Sequence, residues 1–230
     1  REVHEHVIDM SLGLINLGIK EGEHICIIGR NRPHLYWSII AAQNVGAIPT
    51  PLYQDSVAQE MIFPISHCSA KMAIVENQEQ VDKLLEIKKD ITSLKNIIYL
   101  DPRGLRNYKK NNLYSLNDVF TLKNIENVSK LQTELKNRQS KQNLDTKSIL
   151  LYTSGTTGRS KGVVLSNRNV IESGKAGIVF DNINSDFSLI CYLPMAWVGD
   201  FAFSMGLGLQ SGMCICCPES SETLHDDMRE

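Results

Sequence analysis

The chain has little net charge, no long uninterrupted apolar run, and none of the short motifs that mark the commonest nucleotide and metal sites. Its formal net charge is -2 with 22% charged residues, so no basic excess demands a nucleic-acid partner. The stretch from Phe201 to Cys217 approaches membrane-span length, but Ser204, Gly206, Gly208, Ser211 and Gly212 divide it. A buried helix, a turn and a strand are expected there instead. No cleavable signal segment is expected at the start of the chain. His4 and His6 do not form HExxH and have no third ligand nearby, which argues against a zinc site. Neither Gly29 nor Gly155 begins a GxGxxG dinucleotide pattern. His67 and Cys68 are adjacent, and adjacency alone does not make a catalytic dyad. The six cysteines sit mostly in apolar, strand-like runs and are expected to be reduced, buried small hydrophobes of a cytoplasmic protein. Cys214, Cys216 and Cys217 are expected to alternate between strand faces rather than converge on a metal.

What is present is a repeating pattern of helices and strands. Val3, Val7, Met10, Leu14 and Leu17 recur at helical spacing, and Gly18 stops that helix. His24 to Ile28 reads as a strand, followed by a helix entered at Pro33. A short extended segment from Ile48 is expected to be broken by Pro49 and Pro51. A helix from about Ser56 to His67 follows, tolerating Pro64 as a kink or restart, then a strand at Lys71 to Val75, a helix from Gln78, and a strand at Asn96 to Leu100. This alternation predicts an α/β fold with mostly parallel sheets covered by helices on both faces.

Three portions are expected: a first α/β portion over 1–102, a polar crossover of surface helices and loops over 103–147, and a second α/β portion over 148–230, incomplete at its C-terminus. In the second portion, strands are expected at Ser148 to Tyr152 and Gly162 to Leu165, then a helix from Asn167. A buried strand at Phe187 to Leu193, a helix from Trp197 to Leu209 and a strand at Met213 to Cys217 complete the reading. The chain starts without methionine and ends on the polar run Glu219 to Glu230, so a longer parent protein is expected.

The most informative segment is YTSGTTGRSKG, from Tyr152 to Gly162. Gly155 and Gly158 let the backbone approach a ligand closely, and successive N–H groups in such a turn make an anion-binding concavity. Thr153, Ser154, Thr156 and Thr157 add rotatable hydroxyl donors, and Lys161 adds positive charge. Together they predict a loop that holds the phosphates of a nucleotide, most simply ATP. It is not the common GxxxxGK[ST] loop, because Arg159 and Ser160 separate Gly158 from Lys161 and a strand pattern follows. The loop is therefore expected to join two strands rather than to cap a helix.

Other candidates carry two readings each. Arg30, Asn31, Arg32 and His34 follow a strand, where a ligand crevice or a solvated loop with a helix cap would fit equally. Trp197 follows Leu193-Pro194 at a helix start, suited to lining a pocket or to packing in the core. Asp200 reads as a cap, or as facing the same pocket.

With these residues in hand, the sequence resembles the adenylate-forming enzymes, which include acyl-CoA synthetases, luciferase and the adenylation domains of peptide synthetases. YTSGTTGRSKG resembles their signature phosphate loop. NRPHLYWSIIAAQNVGAIPTPLY at 31–53, YQDS at 53–56, ENQEQVDKLLEI at 76–87, YLDPRG at 99–104 and LPMAWVGD at 193–200 look like the long-chain fatty-acyl-CoA ligase branch, particularly its bacterial members. The resemblance covers the whole chain but only the front part of a family member of usual length.

It implies that a fatty acid carboxylate attacks the α-phosphorus of ATP, releasing pyrophosphate, and that the thiol of coenzyme A then displaces AMP from the acyl-adenylate. Thr153, Ser154, Gly155, Thr156, Thr157, Gly158 and Lys161 would surround the β- and γ-phosphates, with Mg²⁺ sharing the charge. Trp197 would lie near the acyl carboxylate and shape the pocket, since an indole cannot serve as a base. Ser160 replaces the family's usual proline, which implies a more mobile loop. The family's Mg²⁺-binding glutamate and its C-terminal catalytic lysine belong to segments beyond Glu230. No catalytic residue is therefore assigned, and Lys161 is not that lysine. The chain by itself is expected to be inactive and its parent active, with loose peripheral attachment to the membrane that supplies the substrate. An adenylate-forming ligase for another carboxylic acid, or a non-catalytic nucleotide- or acyl-binding module, remains as an alternative.

Overall fold

The computed structural model describes residues 1–109, 111–121, 127–153, 160–220 and 222–229. The first half runs α1 (Glu2–Asn16), β1 (His24–Ile28), α2 (Pro33–Asn44), β2 (Ile48–Leu52), α3 (Ala58–His67), β3 (Met72–Val75), α4 (Gln78–Glu86) and β4 (Asn96–Tyr99). It continues through β5 (Leu113–Ser115), α5 (Leu116–Thr121) and α6 (Val128–Lys141). The second half holds β6 (Lys147–Thr153), β7 (Lys161–Ser166), α7 (Asn167–Asp181) and β8 (Ser188–Ile190). A helix follows, made of α8 (Val198–Asp200), a π-helical segment (Phe201–Gly208) and α9 (Leu209–Ser211), then β9 (Cys214–Cys216) and α10 (Leu224–Asp227).

The expected α/β architecture is present. A five-stranded sheet in the order β2-β1-β3-β4-β5 is parallel throughout. Its central strands β1 and β3 are buried at nearly every position because both faces are covered. Alternate residues of β1 serve opposite cores: Ile25 and Ile27 join Met10, Leu14 and Ile39 of α1 and α2, whereas Cys26 and Ile28 join Met61, Ile65, Val81 and Leu84 of α3 and α4. Helix α1 ends as Gly18 suggests. With φ +86°, Gly18 donates its N–H to the Ile15 carbonyl, and Ile19 donates to Leu14, closing a Schellman motif.

The structure corrects several expectations. Pro49 and Pro51 do not break β2. Its Ile48 N–H donates toward β1, so the strand period turns the N–H-less nitrogens of Pro49 and Pro51 to the other edge, which runs beside β6. Proline is harmless there, and it helps keep β6 out of the first sheet. The polar segment after 102 contains β5, which completes that sheet at its far edge; three residues were too few to show a period. The expected buried strand at Phe187 to Leu193 is shorter and only partly buried. Its neighbour β9 exposes Cys214 and Cys216, whose sulfurs lie 3.7 Å apart on one face rather than alternating. Cys26 and Cys191 are buried as expected.

Candidate functional site

Strands β6 and β7 form an antiparallel hairpin in which Thr153 pairs with Lys161, so the glycine- and hydroxyl-rich loop joins two strands. Ser154, Gly155, Thr156, Thr157 and Gly158, the centre of the expected phosphate loop, lie outside the described residues. Thr153 and Lys161 form the loop's base, and both are exposed.

The stem of the hairpin is fixed at both ends. At one end Gln43 of α2 donates to the carbonyl and hydroxyl oxygens of Ser148. At the other, the Tyr152 hydroxyl donates to the Pro64 carbonyl at 3.1 Å, which leaves its oxygen to accept from His67 Nδ1 at 2.8 Å. Pro64 lies inside α3, and its carbonyl anchors the strand leading into the loop. Burial pushes the Tyr152 hydroxyl pKa upward, so it stays a neutral donor across the physiological range.

A cavity of about 690 Å³ opens beside this base. Tyr53, Glu60, Phe63 and Tyr152 contribute to its wall, and Thr153 and Ser160 bring the two ends of the loop to its rim. It lies at the carboxyl end of β2, the end of a parallel sheet where ligands are usually held. Burial raises the pKa of the Tyr53 hydroxyl in this wall, and the neighbouring Trp197 side chain opposes the rise. Being 48% exposed, Trp197 is not a core residue.

The loop after β1 is a joint between the two halves. Arg30 and Arg32 both pair with Glu76 at 3.1 Å, and Arg32 Nη1 donates to the Pro218 and Glu219 carbonyls. Burial alone would raise the Glu76 pKa. Hydrogen bonds from the Arg30 backbone N–H and from both guanidinium groups outweigh it and hold the carboxyl below its usual range. His34 instead stacks obliquely on Trp37, with ring centroids 4.6 Å apart, and burial lowers its pKa. Asn31 Nδ2 lies 2.9 Å from the Leu193 carbonyl and 3.0 Å from Asp200 Oδ1. Asp200, noted in the sequence only as a cap or a pocket residue, is buried and accepts from the Tyr36 hydroxyl at 2.8 and 2.9 Å. It forms the polar floor of a 230 Å³ cavity whose walls include Leu189, Leu193 and Phe203. Burial raises its pKa to about 6, against the opposing hydrogen bonds from Tyr36, Ser204 and Asn31. The tie between Tyr36 and Asp200 had no signal in the sequence, since 164 positions separate them.

The profile described as AMP-binding enzyme matches residues 1–230. The chain belongs to the AMP-binding enzyme family. Among its relatives, the human long-chain-fatty-acid–CoA ligase ACSBG1 is 28% identical over 212 residues, covering 90% of this chain and 28% of the relative. The chain thus spans less than a third of that protein's length. Two solved structures share its fold. A long-chain-fatty-acid-CoA ligase (FadD1) from Archaeoglobus fulgidus matches with TM-score 0.79 and 18% identity, over 99% of this chain and 41% of that one. The anthranilate CoA ligase AuaEII, in complex with anthranoyl-AMP, matches with TM-score 0.79 and 16% identity over the same shares.

Proposed function

We propose that this chain is the nucleotide-side part of a long-chain fatty-acid–CoA ligase, of the bacterial type its motifs resemble, and that the loop after Thr153 holds the pyrophosphate portion of ATP. The observation that carries the reading is the hairpin itself: a glycine- and hydroxyl-rich segment begins at Thr153 and returns at Lys161, beside a 690 Å³ cavity. In this reading Thr153, Ser154, Gly155, Thr156, Thr157, Gly158 and Lys161 donate to the β- and γ-phosphates and orient the leaving pyrophosphate. Catalysis here is positioning and charge stabilisation, since the developing charge sits on the departing phosphates. Trp197 shields the acyl carboxylate and offers no base.

The fit to Mg²⁺ is indirect. Among the described residues, no group of three or more His, Cys, Asp or Glu could hold a metal. Mg²⁺ commonly binds through substrate phosphates with one or two carboxylates, so it would arrive with ATP rather than in a protein cage. Coenzyme A enters as the second substrate. Among the described residues no helix is long and apolar enough to cross a membrane, and the reading includes peripheral contact with the membrane that supplies the acid. Acyl-CoA formation by the natural protein, compared across acetate, octanoate, palmitate and an aryl acid, tests the assignment. Preference for palmitate or octanoate is expected. Preference for the aryl acid would favour the alternative suggested by the anthranilate ligase's fold.

A further inference from the structure

The turn from Leu193 to Asp200 is held at both ends by the first half of the molecule. At its start, Asn31 donates to the Leu193 carbonyl at 2.9 Å. At its end, the Asp200 carboxylate takes the Tyr36 hydroxyl at 2.8 and 2.9 Å and approaches Asn31 at 3.0 Å. Asn31 and Tyr36 come from one place, the loop after β1 and the first turns of α2, and Asn31 Nδ2 lies 2.7 Å from the Tyr36 hydroxyl. Trp197 lies between the two fastened points, with its N–H bonded to the Pro194 carbonyl and its carbonyl accepting from Phe201. Asp200 and Tyr36 are both buried, whereas Trp197 is half exposed. A buried carboxylate is costly unless fully hydrogen-bonded, and this one spends its acceptors on the staple.

We propose that Asp200 is a positioning residue for the acid-binding side of the site: with Tyr36 and Asn31 it staples the 193–200 turn to the first sheet and so sets where Trp197 stands. The proposal rests on the reading of Trp197 as an acyl-pocket residue. It extends that reading by naming the side chains that place it. The titratable groups facing Asp200 are Tyr36 from α2, Cys191 after β8 and Cys217 after β9. Burial pushes the two thiols to about 12 and about 11 and raises the Tyr36 hydroxyl further. Asp200 is thus the group of this cluster that changes charge between pH 5 and 8.

The test uses Asp200→Asn, Tyr36→Phe and their combination, with Trp197→Ala as control. In the natural protein each single change should lower kcat/KM about 10- to 100-fold, chiefly through KM for the carboxylic acid, with KM for ATP little changed. The double variant should lose no more than the worse single, because both cut the same staple. In the 230-residue chain carrying Trp37→Phe, Trp197 emission should titrate with a midpoint near 6 and lose that step in Asp200→Asn. If Trp197→Ala impairs acid binding while the staple variants leave both kinetics and emission unchanged, the staple is refuted and the pocket reading stands. If Trp197→Ala leaves acid binding intact while the emission step disappears in Asp200→Asn, the pocket reading fails and the staple remains. Equal losses for the acid and ATP, tracking lost folded protein, would reduce Asp200 to a structural residue and overturn the proposal.

Discussion

The two halves of the molecule are built to different degrees of closure. In the first, β1 and β3 are buried at nearly every position and helices cover both faces of the sheet. In the second, β6–β7 and β8–β9 are separate two-stranded sheets, and α7 buries only Gly174 among its described residues. Val179 and Phe180 on α7 are 81% and 87% exposed. Most of both cores lies in the first half, and the second half adds Ile149, Leu151, Phe201 and Met205 to one and Leu150 and Tyr152 to the other. The second takes its order from ties to the first: Gln43 to Ser148, Tyr152 to Pro64, and Asn31 and Tyr36 to the 193–200 turn. The closed half therefore serves as the platform, and the open half presents the loop and the turn proposed to meet substrates.

That contrast can be broken by mutation. The largest effect is expected for Ile27→Ala or Ile74→Ala, where the lost transfer energy and the residual cavity should cost about 2–5 kcal/mol. Both side chains are buried in the core against α1 and α2. Val179→Ala and Phe180→Ala should stay within about 0.5 kcal/mol by urea denaturation. Comparable losses at the two places would show that the halves are equally closed.

Asp200→Asn comes next. The folded pKa of Asp200 is raised to about 6 from 3.8, so its contribution to stability is full below the unfolded value and is lost as pH rises through 6. The substitution should remove up to about 3 kcal/mol of that pH dependence, seen as a flatter urea midpoint between pH 4 and 7. An unchanged profile would mean that the carboxylate is solvated and the joint loose.

Glu76→Gln should cost about 1–3 kcal/mol at pH 7, because it leaves Arg30 and Arg32 without their anion. Its depressed pKa has the opposite sign to that of Asp200. The stability from Glu76 is present above the usual carboxylate range and disappears as pH falls through the folded value. The smallest effect belongs to Lys141→Ala, which breaks the exposed pair with Glu21 and should change stability by less than about 1 kcal/mol, with the difference further reduced by salt.

Most of the first half was legible in the sequence because its signals are local. Gly18 marks a helix end, Pro33 a helix start, and HICII a strand buried on both faces. What escaped depends on pairing between distant segments. Pro49 and Pro51 read as breakers until the neighbouring strand shows which edge their nitrogens face. The three residues of β5 read as crossover until β4 pairs with them. In the candidate site, the hairpin geometry followed from the displaced Lys161 and the strand pattern after it. The role of Tyr152 as an anchor on α3, and the tie from Asp200 to Tyr36, did not, because such hydrogen bonds leave no period in the sequence.

The central claim is that the segment between Thr153 and Lys161 holds the pyrophosphate of ATP. Fatty-acid-dependent exchange of labelled pyrophosphate into ATP by the natural protein measures that step without coenzyme A. With palmitate, exchange should occur and should fall about 100-fold or more when Thr156 and Lys161 are both replaced by alanine, while the folded protein keeps its melting temperature. Unchanged exchange in that double variant would contradict the account.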